Sequence, residues 1–300
     1  MPRYALVITG PALAEIDVTA ATELSLPDVV LALGRAYQWL ITAQDETEAA
    51  ACLKTARADL ENVPVDVNLI PDDDDRRKRL LLADMDSTII GQECIDEIAR
   101  FAGVGDHVAE ITERAMRGEL DFEAALSERI ALLQGLEEAT LDRVAREHLS
   151  ITPGARELVA TMRHNGAYCV LVSGGFTYFT SRIAAAVGFD ENRANTLEIE
   201  AGRLTGRPVL PILGREAKRD ALRELQTRLA LSPTATLAVG DGANDLAMIE
   251  AAGLGVAFRA KPLVNTAADA QVQHGDLTDL LFLQGYRAEE IVTPPRPPAS

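Results

Sequence analysis

The chain has 300 residues, 47% of them apolar, which allows a sizeable core and about two domains. A formal net charge of -17 sets it against nucleic acid and anionic membrane surfaces, and aromatics at 4% leave no stacking platform for single strands. An anionic substrate would therefore need cations supplied locally, by Lys and Arg or by a metal.

Residues 1–75 read as a small α+β block. A strand is expected over residues 4–9, a helix over 25–33, a second strand over 37–43 and a helix over 46–62 with an apolar stripe at Ala50, Leu53, Ala56 and Leu60. Residues 65–70 alternate Val65, Val67 and Leu69 with Asp66 and Asn68, the pattern of a half-buried strand. Four aspartates (72–75) and four basic residues (76–79) follow Pro71 and read as a solvated linker.

Leu80-Leu81-Leu82-Ala83 has the unbroken apolar character of a buried parallel strand, and Asp84 and Asp86 stand where it stops. Residues 92–149 are helical almost throughout, with one helix opened by Asp121 and showing Phe122, Ala125, Leu126, Ile130 and Leu133 on its apolar side. This insertion is placed to roof the strand end. A helix from Pro153 to His164 leads to a strand over 168–172 that runs into Ser173-Gly174-Gly175. A helix over 176–187, a hairpin over 195–207 turning at Glu200-Ala201-Gly202, and a helix over 215–229 come next. A third buried strand, 235–239, ends in Gly240-Asp241-Gly242-Ala243-Asn244-Asp245; a helix over 243–252 and a strand over 254–258 complete the pattern. Such alternation predicts an α/β fold, a doubly wound parallel sheet. From residue 286 the chain is expected to be a mobile tail, Pro-rich over 293–298.

Three strands thus end in polar clusters, and in a parallel sheet those ends share one edge, where ligands bind. Carboxylates from two of them could hold a hard cation together with substrate phosphate. Ser173 and the open amides of two glycines could cradle phosphate oxygens, with Lys218 neutralising the same group. A plain polar turn is the competing reading of each cluster taken alone. An EF-hand fails because Ala243 and Ala252 occupy ligand positions, no Walker A sequence is present, and Ser173 is not in a GxSxG elbow. Hydrolysis of a phosphate monoester can require accelerations up to about 10²¹, far beyond the roughly 10² to 10⁴ of one acid–base group. A held nucleophile and a bound metal must supply most of the rest.

Asp84-Met85-Asp86-Ser87-Thr88, Ser173-Gly174, Lys218 and the run Gly240 to Asp245 together resemble the four motifs of the haloacid-dehalogenase-like (HAD) phosphatases, over about residues 79–285. Glu93-Cys94-Ile95-Asp96-Glu97 and the cap segment Arg117-Gly118-Glu119-Leu120-Asp121-Phe122, with Arg129, are similar to the branch that acts on phosphoserine. The resemblance implies a HAD-like Rossmannoid core with a helical cap at about 92–150. It implies Asp84 as nucleophile and Asp86 as proton shuttle, with Ser173, Gly174, Lys218 and Asn244 around the phosphate. Mg²⁺ would be held by Asp84, the Asp86 backbone carbonyl and Asp241, supported by Asp245. Glu93 would take the substrate ammonium and Arg129 its carboxylate, with Phe122 beside them; a zwitterion needs one anion and one cation to orient it, and Arg can grip a carboxylate with two hydrogen bonds. The implied reaction is Mg²⁺-dependent hydrolysis of O-phospho-L-serine through an aspartyl-phosphate, the last step of serine biosynthesis. A phosphatase or phosphotransferase for another small phosphorylated metabolite, and an inert amino-acid-binding regulator, are the alternatives. Residues 1–75 resemble an ACT-type, ferredoxin-like domain, with an effector-binding and a purely structural role both open.

The remaining signals concern location and partners. Cys52, Cys94 and Cys169 form neither a CxxC pair nor a zinc spacing and read as reduced thiols of a cytoplasmic protein. No apolar run reaches membrane-span length, and the apolar part of the N-terminus is too short for a signal peptide. The expected partner is a small molecule, with no nucleic acid or membrane, and homodimer formation is left open.

Overall fold

The computed structural model describes residues 1–295 apart from 23, 117, 118 and 215. The strands are β1 (Arg3–Thr9), β2 (Val29–Ala32), β3 (Ala36–Thr42), β4 (Asp66–Pro71), β5 (Leu80–Ala83), β6 (Tyr168–Phe176), β7 (Glu191–Glu200), β8 (Arg203–Val209), β9 (Thr236–Gly240), β10 (Leu254–Phe258) and β11 (Ala270–Val272). The helices are α1 (Val18–Ala21), α2 (Glu46–Asp59), α3 (Cys94–Ala102), α4 (Gly105–Met116), α5 (Phe122–Ala131), α6 (Glu138–Glu147), α7 (Ala155–His164), α8 (Thr177–Val187), α9 (Ala217–Arg228), α10 (Leu246–Ile249), α11 (Pro262–Ala267) and α12 (Asp279–Leu283).

The large sheet has the order β11-β10-β9-β5-β6-β7-β8, parallel except for the β7–β8 hairpin at its edge. Strand alternation assigns its two faces. Leu80, Leu82, Val170, Val172 and Ala238 pack with Leu222 and Leu225 of α9, Ile249 of α10 and Val264 of α11. Leu81, Ala83, Leu171 and Val239 face the other way, against Leu158 and Met162 of α7, Phe179 of α8 and Leu281 of α12. All four β5 side chains are fully buried, as a central parallel strand requires. This is the α/β architecture expected.

The insertion between β5 and β6 is built from α3 to α6. Its neck is a two-chain stem: Ile90 pairs with Ile151, Gly91 N donates to Ser150 O at 3.1 Å and Thr152 N to Ile89 O at 2.9 Å. Asp121 caps α5 by accepting from Ala124 N at 2.8 Å, satisfying one of the free amides of the first turn.

The N-terminal strands form a separate antiparallel sheet of order β2-β3-β1-β4, with the βαββαβ element order of ferredoxin-like units. Leu6, Ile8, Trp39 and Val67 meet Ala56 and Leu60 at the α2 side. Ala5, Val7, Ala36 and Ile70, on the opposite face, join the large core. Polar contacts lock the two sheets together. Asp66 accepts from the backbone amides of Gln273, His274 and Gly275 at 2.8, 3.0 and 3.2 Å. Asn68 exchanges two hydrogen bonds of 2.8 Å with the backbone of Gln271.

Four expectations need correcting. Residues 25–33 contain no helix; Val29–Ala32 is a strand, because its branched apolar run pairs with β3. The basic half of the linker is only half solvated: Arg77 and Arg79 are exposed, but Arg76 is 7% exposed and donates to Asp72, Gln38 and the Leu283 carbonyl, and Lys78, equally buried, donates to Thr234 O. The helix expected over 243–252 shrinks to Leu246–Ile249. Within the expected tail, Tyr286 is buried, Arg77 pairs with Glu290, and Val292 N donates to Thr161 Oγ1 at 2.9 Å. Residues 296–300 of that tail, the cap residues Arg117 and Gly118, and the helix start at Arg215 lie outside the described residues.

Candidate active site

β5 ends at the sheet centre, between β6 and β9, so Asp84 projects beyond the carboxyl edge beside both neighbours. Asp84 N donates to Val239 O at 3.0 Å, fixing the strand's last step. The chain then turns sharply. Ser87 adopts a positive φ of 56°, and its hydroxyl donates to Glu93 Oε1 at 2.7 Å. Asp86 thereby points at β6: its Oδ1 accepts from Cys94 N at 2.9 Å and its Oδ2 from Ser173 Oγ at 3.1 Å.

Lys218, on the first turn of α9, reaches Asp84 Oδ1 at 2.6 Å and Asp245 Oδ1 at 2.5 Å, with all three side chains no more than 5% exposed. Burial works to lower the ammonium, but Asp245 and Asp84 outweigh it and hold Lys218 protonated above its ordinary range. Asp245 also accepts from Gly242 N at 3.1 Å, curling the loop back over the end of β9. Gly240 makes this possible, since a Cβ there would lie 2.4 Å from Asp245 Cγ.

Asp84, Asp241 and Asp245 present carboxylate oxygens within 4.8 Å of one another. Three carboxylates against one ammonium leave excess negative charge in a desolvated spot. Burial first, and Asp245 second, raise Asp84 well above the carboxylate range and push Asp241 up to about 6. Both shifts mark a site short of positive charge. The hard oxygen donors fit a divalent cation, which would relieve that repulsion. Asp86 adds no side-chain oxygen to this cluster. Burial also raises its own carboxyl, against the lowering effect of the bonds from Cys94 and Ser173.

A pocket beside the cluster is lined by Ser173, Gly174, Lys218, Asn244 and Phe122, with Leu213 and Gly214 closing one wall. The cap reaches it through Phe122, whose ring would meet a Cβ on Gly174 at 3.2 Å. Glu93 lies at the cap entrance. Its carboxyl keeps solvent contact at one side yet is pushed up to about 7, first by desolvation within the cleft and then by Asp86. Arg129 is half-buried on α5, donates from Nε to Ala125 O at 3.2 Å and faces the charges of Asp96 and Glu93; burial lowers its guanidinium. Asp84, Asp86, Ser173, Gly174, Lys218, Asp241, Asn244, Asp245 and Phe122 therefore gather at the sheet edge and its pocket, with Glu93 bonded to Ser87 beside them and Arg129 facing Glu93 from the cap. Sequence reading missed Asn195 and the Leu213–Gly214 wall, which carry no motif, and it gave no role to Thr88 of the first motif, which donates to Asp241 Oδ1 at 3.4 Å.

The model of the haloacid dehalogenase-like hydrolases matches residues 81–250. A phosphoserine phosphatase of Archaeoglobus fulgidus is 44% identical over 245 residues, which span 81% of this chain and 71% of the relative. Among solved structures, a probable phosphoserine phosphatase from Vibrio cholerae in its unliganded form matches with TM-score 0.79 and 37% identity, over 94% of this chain and 86% of that one. A phosphoserine phosphatase solved as an analogue of its phospho-aspartyl intermediate matches with TM-score 0.64 and 38% identity, over 68% of this chain and 98% of that one. The chain belongs to the haloacid dehalogenase-like hydrolases, within the phosphoserine phosphatase family.

Proposed function

We propose that this enzyme hydrolyses O-phospho-L-serine to L-serine and phosphate, with Asp84 as nucleophile and Asp86 as acid and base. The observation that carries the reading is the convergence of Asp84, Asp86, Ser173, Lys218 and Asp241 at one sheet edge, with Glu93 bonded to Ser87 beside them and Arg129 facing the charge of Glu93 from the cap. An Asp84 oxygen attacks phosphorus, and the bond from phosphorus to the serine oxygen breaks. Asp86, whose carboxyl is raised above its ordinary range by burial, gives its proton to the departing oxygen. The same carboxylate then takes a proton from water, which cleaves the aspartyl-phosphate. Lys218, Ser173, Gly174 and Asn244 hold the transferring group, and Asp245 holds Lys218 in place. Mg²⁺ is the cation proposed for Asp84, Asp241 and the Asp86 backbone, with Asp245 in support; when bound it offsets phosphate charge.

Glu93 and Arg129 give the cleft one anion and one cation for the substrate's ammonium and carboxylate. A chain division at residues 1–75, 79–285 and 286–300 is part of the proposal, with an ACT-like first unit, a cytoplasmic location and room for homodimer formation. Among the described residues, no helix is long and apolar enough to cross a membrane. The direct test of the chemistry is Asp84→Asn. Turnover should vanish while the thermal unfolding midpoint in chelator holds or rises, and a variant with near-normal rate would sink the covalent scheme.

A further inference from the structure

Asn195 lies on β7, separated from β5 by β6, and makes no hydrogen bond to the carboxylates, yet it is 2% exposed and both polar atoms of its side chain are bonded. Its Nδ2 donates to Gly174 O at 2.9 Å, and its Oδ1 accepts from Leu213 N at 2.7 Å. Both partners belong to residues that line the pocket with Lys218 and Asn244. The register explains the position. β6 and β7 pair regularly up to Val172 and Arg193, and pairing resumes at Phe176 and Asn195. Three residues of β6, Ser173 to Gly175, therefore oppose the single Ala194 of β7. They form a bulge thrown toward the site, and Asn195 sits at its neck.

The bulge contains a polarised chain of donors. A trans peptide directs its C=O and N–H to opposite sides. With Gly174 O held by Asn195, the amide of the same peptide, Gly175 N–H, points at Ser173 Oγ and donates to it at 2.8 Å. That bond commits a lone pair of Ser173 and leaves its proton to be given elsewhere, here to Asp86 Oδ2 at 3.1 Å. Gly175 must lack a side chain for this packing, since a Cβ would lie 2.9 Å from Asp86 Oδ2. The sequence of donations runs from Leu213 through Asn195, the Gly174–Gly175 peptide and Ser173 to Asp86.

We propose that Asn195 is a positioning residue: it orients the Gly174–Gly175 peptide, and through it the Ser173 hydroxyl and the Asp86 carboxyl, while tying the Leu213 loop to the same bulge. The inference rests on the acid–base reading of Asp86. Asn195→Asp keeps the acceptor for Leu213 N and the side-chain size, but replaces the donor to Gly174 O with an oxygen. Released, the peptide can rotate and Ser173 loses its fixed polarity. Misplacements of about 1 Å cost about 100-fold in rate, so kcat for phosphoserine should fall about 10- to 100-fold, with KM changed much less.

The test is a double-mutant cycle with Ser173→Ala, measuring kcat, KM and the pH–rate profile of the Mg²⁺-supplied full chain, with thermal unfolding of every variant. If Asn195 acts through Ser173, the Asn195→Asp change should cost less than about threefold once Ser173 is absent, and the acidic limb of the profile should shift in the single variant. Full additivity of the two losses, or an unchanged pH profile with a kcat loss matching only a loss of folded protein, would overturn the proposal. Should Asn195→Asp fail to fold, the cycle is run with Asn195→Ser, which reaches neither partner, and the same criteria apply. Asp86→Asn is assayed beside them. Near-normal turnover of that variant refutes the acid–base reading itself, whereas an inactive Asp86→Asn with additive Asn195 effects refutes only the positioning role.

Discussion

Asp241→Asn separates what the carboxylate cluster does for the reaction from what it costs the fold. In the metal-free chain the Asp241 carboxyl is pushed from 3.8 up to about 6, chiefly by burial and next by Asp245. A group held above its unfolded value favours the fold fully below about pH 3.8, and that contribution is lost as pH rises through about 6. The difference is worth about 3 kcal/mol above pH 7. Asparagine keeps an oxygen for the Thr88 hydroxyl and carries no charge. In chelator at pH 7.5, Asp241→Asn should therefore be more stable than the parent by up to about 3 kcal/mol. At about 2–4 °C per kcal/mol for chains of this order, the midpoint should rise by up to roughly 6–12 °C. Near pH 4 the two melting points should converge. With Mg²⁺ present the order should reverse or close, because the parent gains a cation and the variant loses an oxygen charge that holds it. Activity of the variant should fall by at least about 100-fold, the several kcal/mol that metal charge stabilisation supplies. Thermal scans across pH 4–8, with chelator and with Mg²⁺, measure all of this. A variant that melts below the parent in chelator at pH 7.5 would refute the reasoning.

Three further outcomes follow from the same geometry. Lys218→Met removes the one cation that, among the described residues, lies within salt-bridge distance of both Asp84 and Asp245; breaking such a buried pair costs about 3–5 kcal/mol, read as a lower unfolding midpoint in chelator, and turnover should fall at least about 100-fold. A loss under 1 kcal/mol would show the carboxylates are relieved some other way. Arg129→Ala should raise KM for phosphoserine by about 10-fold or more while sparing a phosphomonoester that lacks a carboxylate, and equal effects on both would remove Arg129 from substrate recognition. Because Glu93 is pushed up to about 7, phosphoserine binding should weaken as pH falls from 8 to 6, and Glu93→Gln should flatten that dependence; an unflattened curve would assign the titration to another group.

The site was legible because its chemistry sits at strand ends, where a switch from apolar run to carboxylate is visible in the chain itself. Leu80 to Asp86 and Leu237 to Asp245 carry both halves of that signal. What stayed hidden depends on partners distant in sequence. Val29–Ala32 gained its strand state from pairing with β3, overriding a local pattern that read as helix. Ala270–Val272 is three residues long and exists by pairing with β10. Arg76 looked like part of a solvated charge run, but its partners Gln38 and Leu283 come from two remote segments. Asn195 gave no signal at all, since one asparagine in a polar hairpin strand looks like any other until the bulge opposite it is seen.

Phosphate release from O-phospho-L-serine, set beside phosphothreonine, phosphorylated sugars and nucleotides, with and without Mg²⁺, tests the proposed function most directly. A strong, Mg²⁺-dependent preference for phosphoserine is the expected result. A preference for another compound would contradict the roles given to Glu93 and Arg129, and no release from any of them would contradict the catalytic reading as a whole.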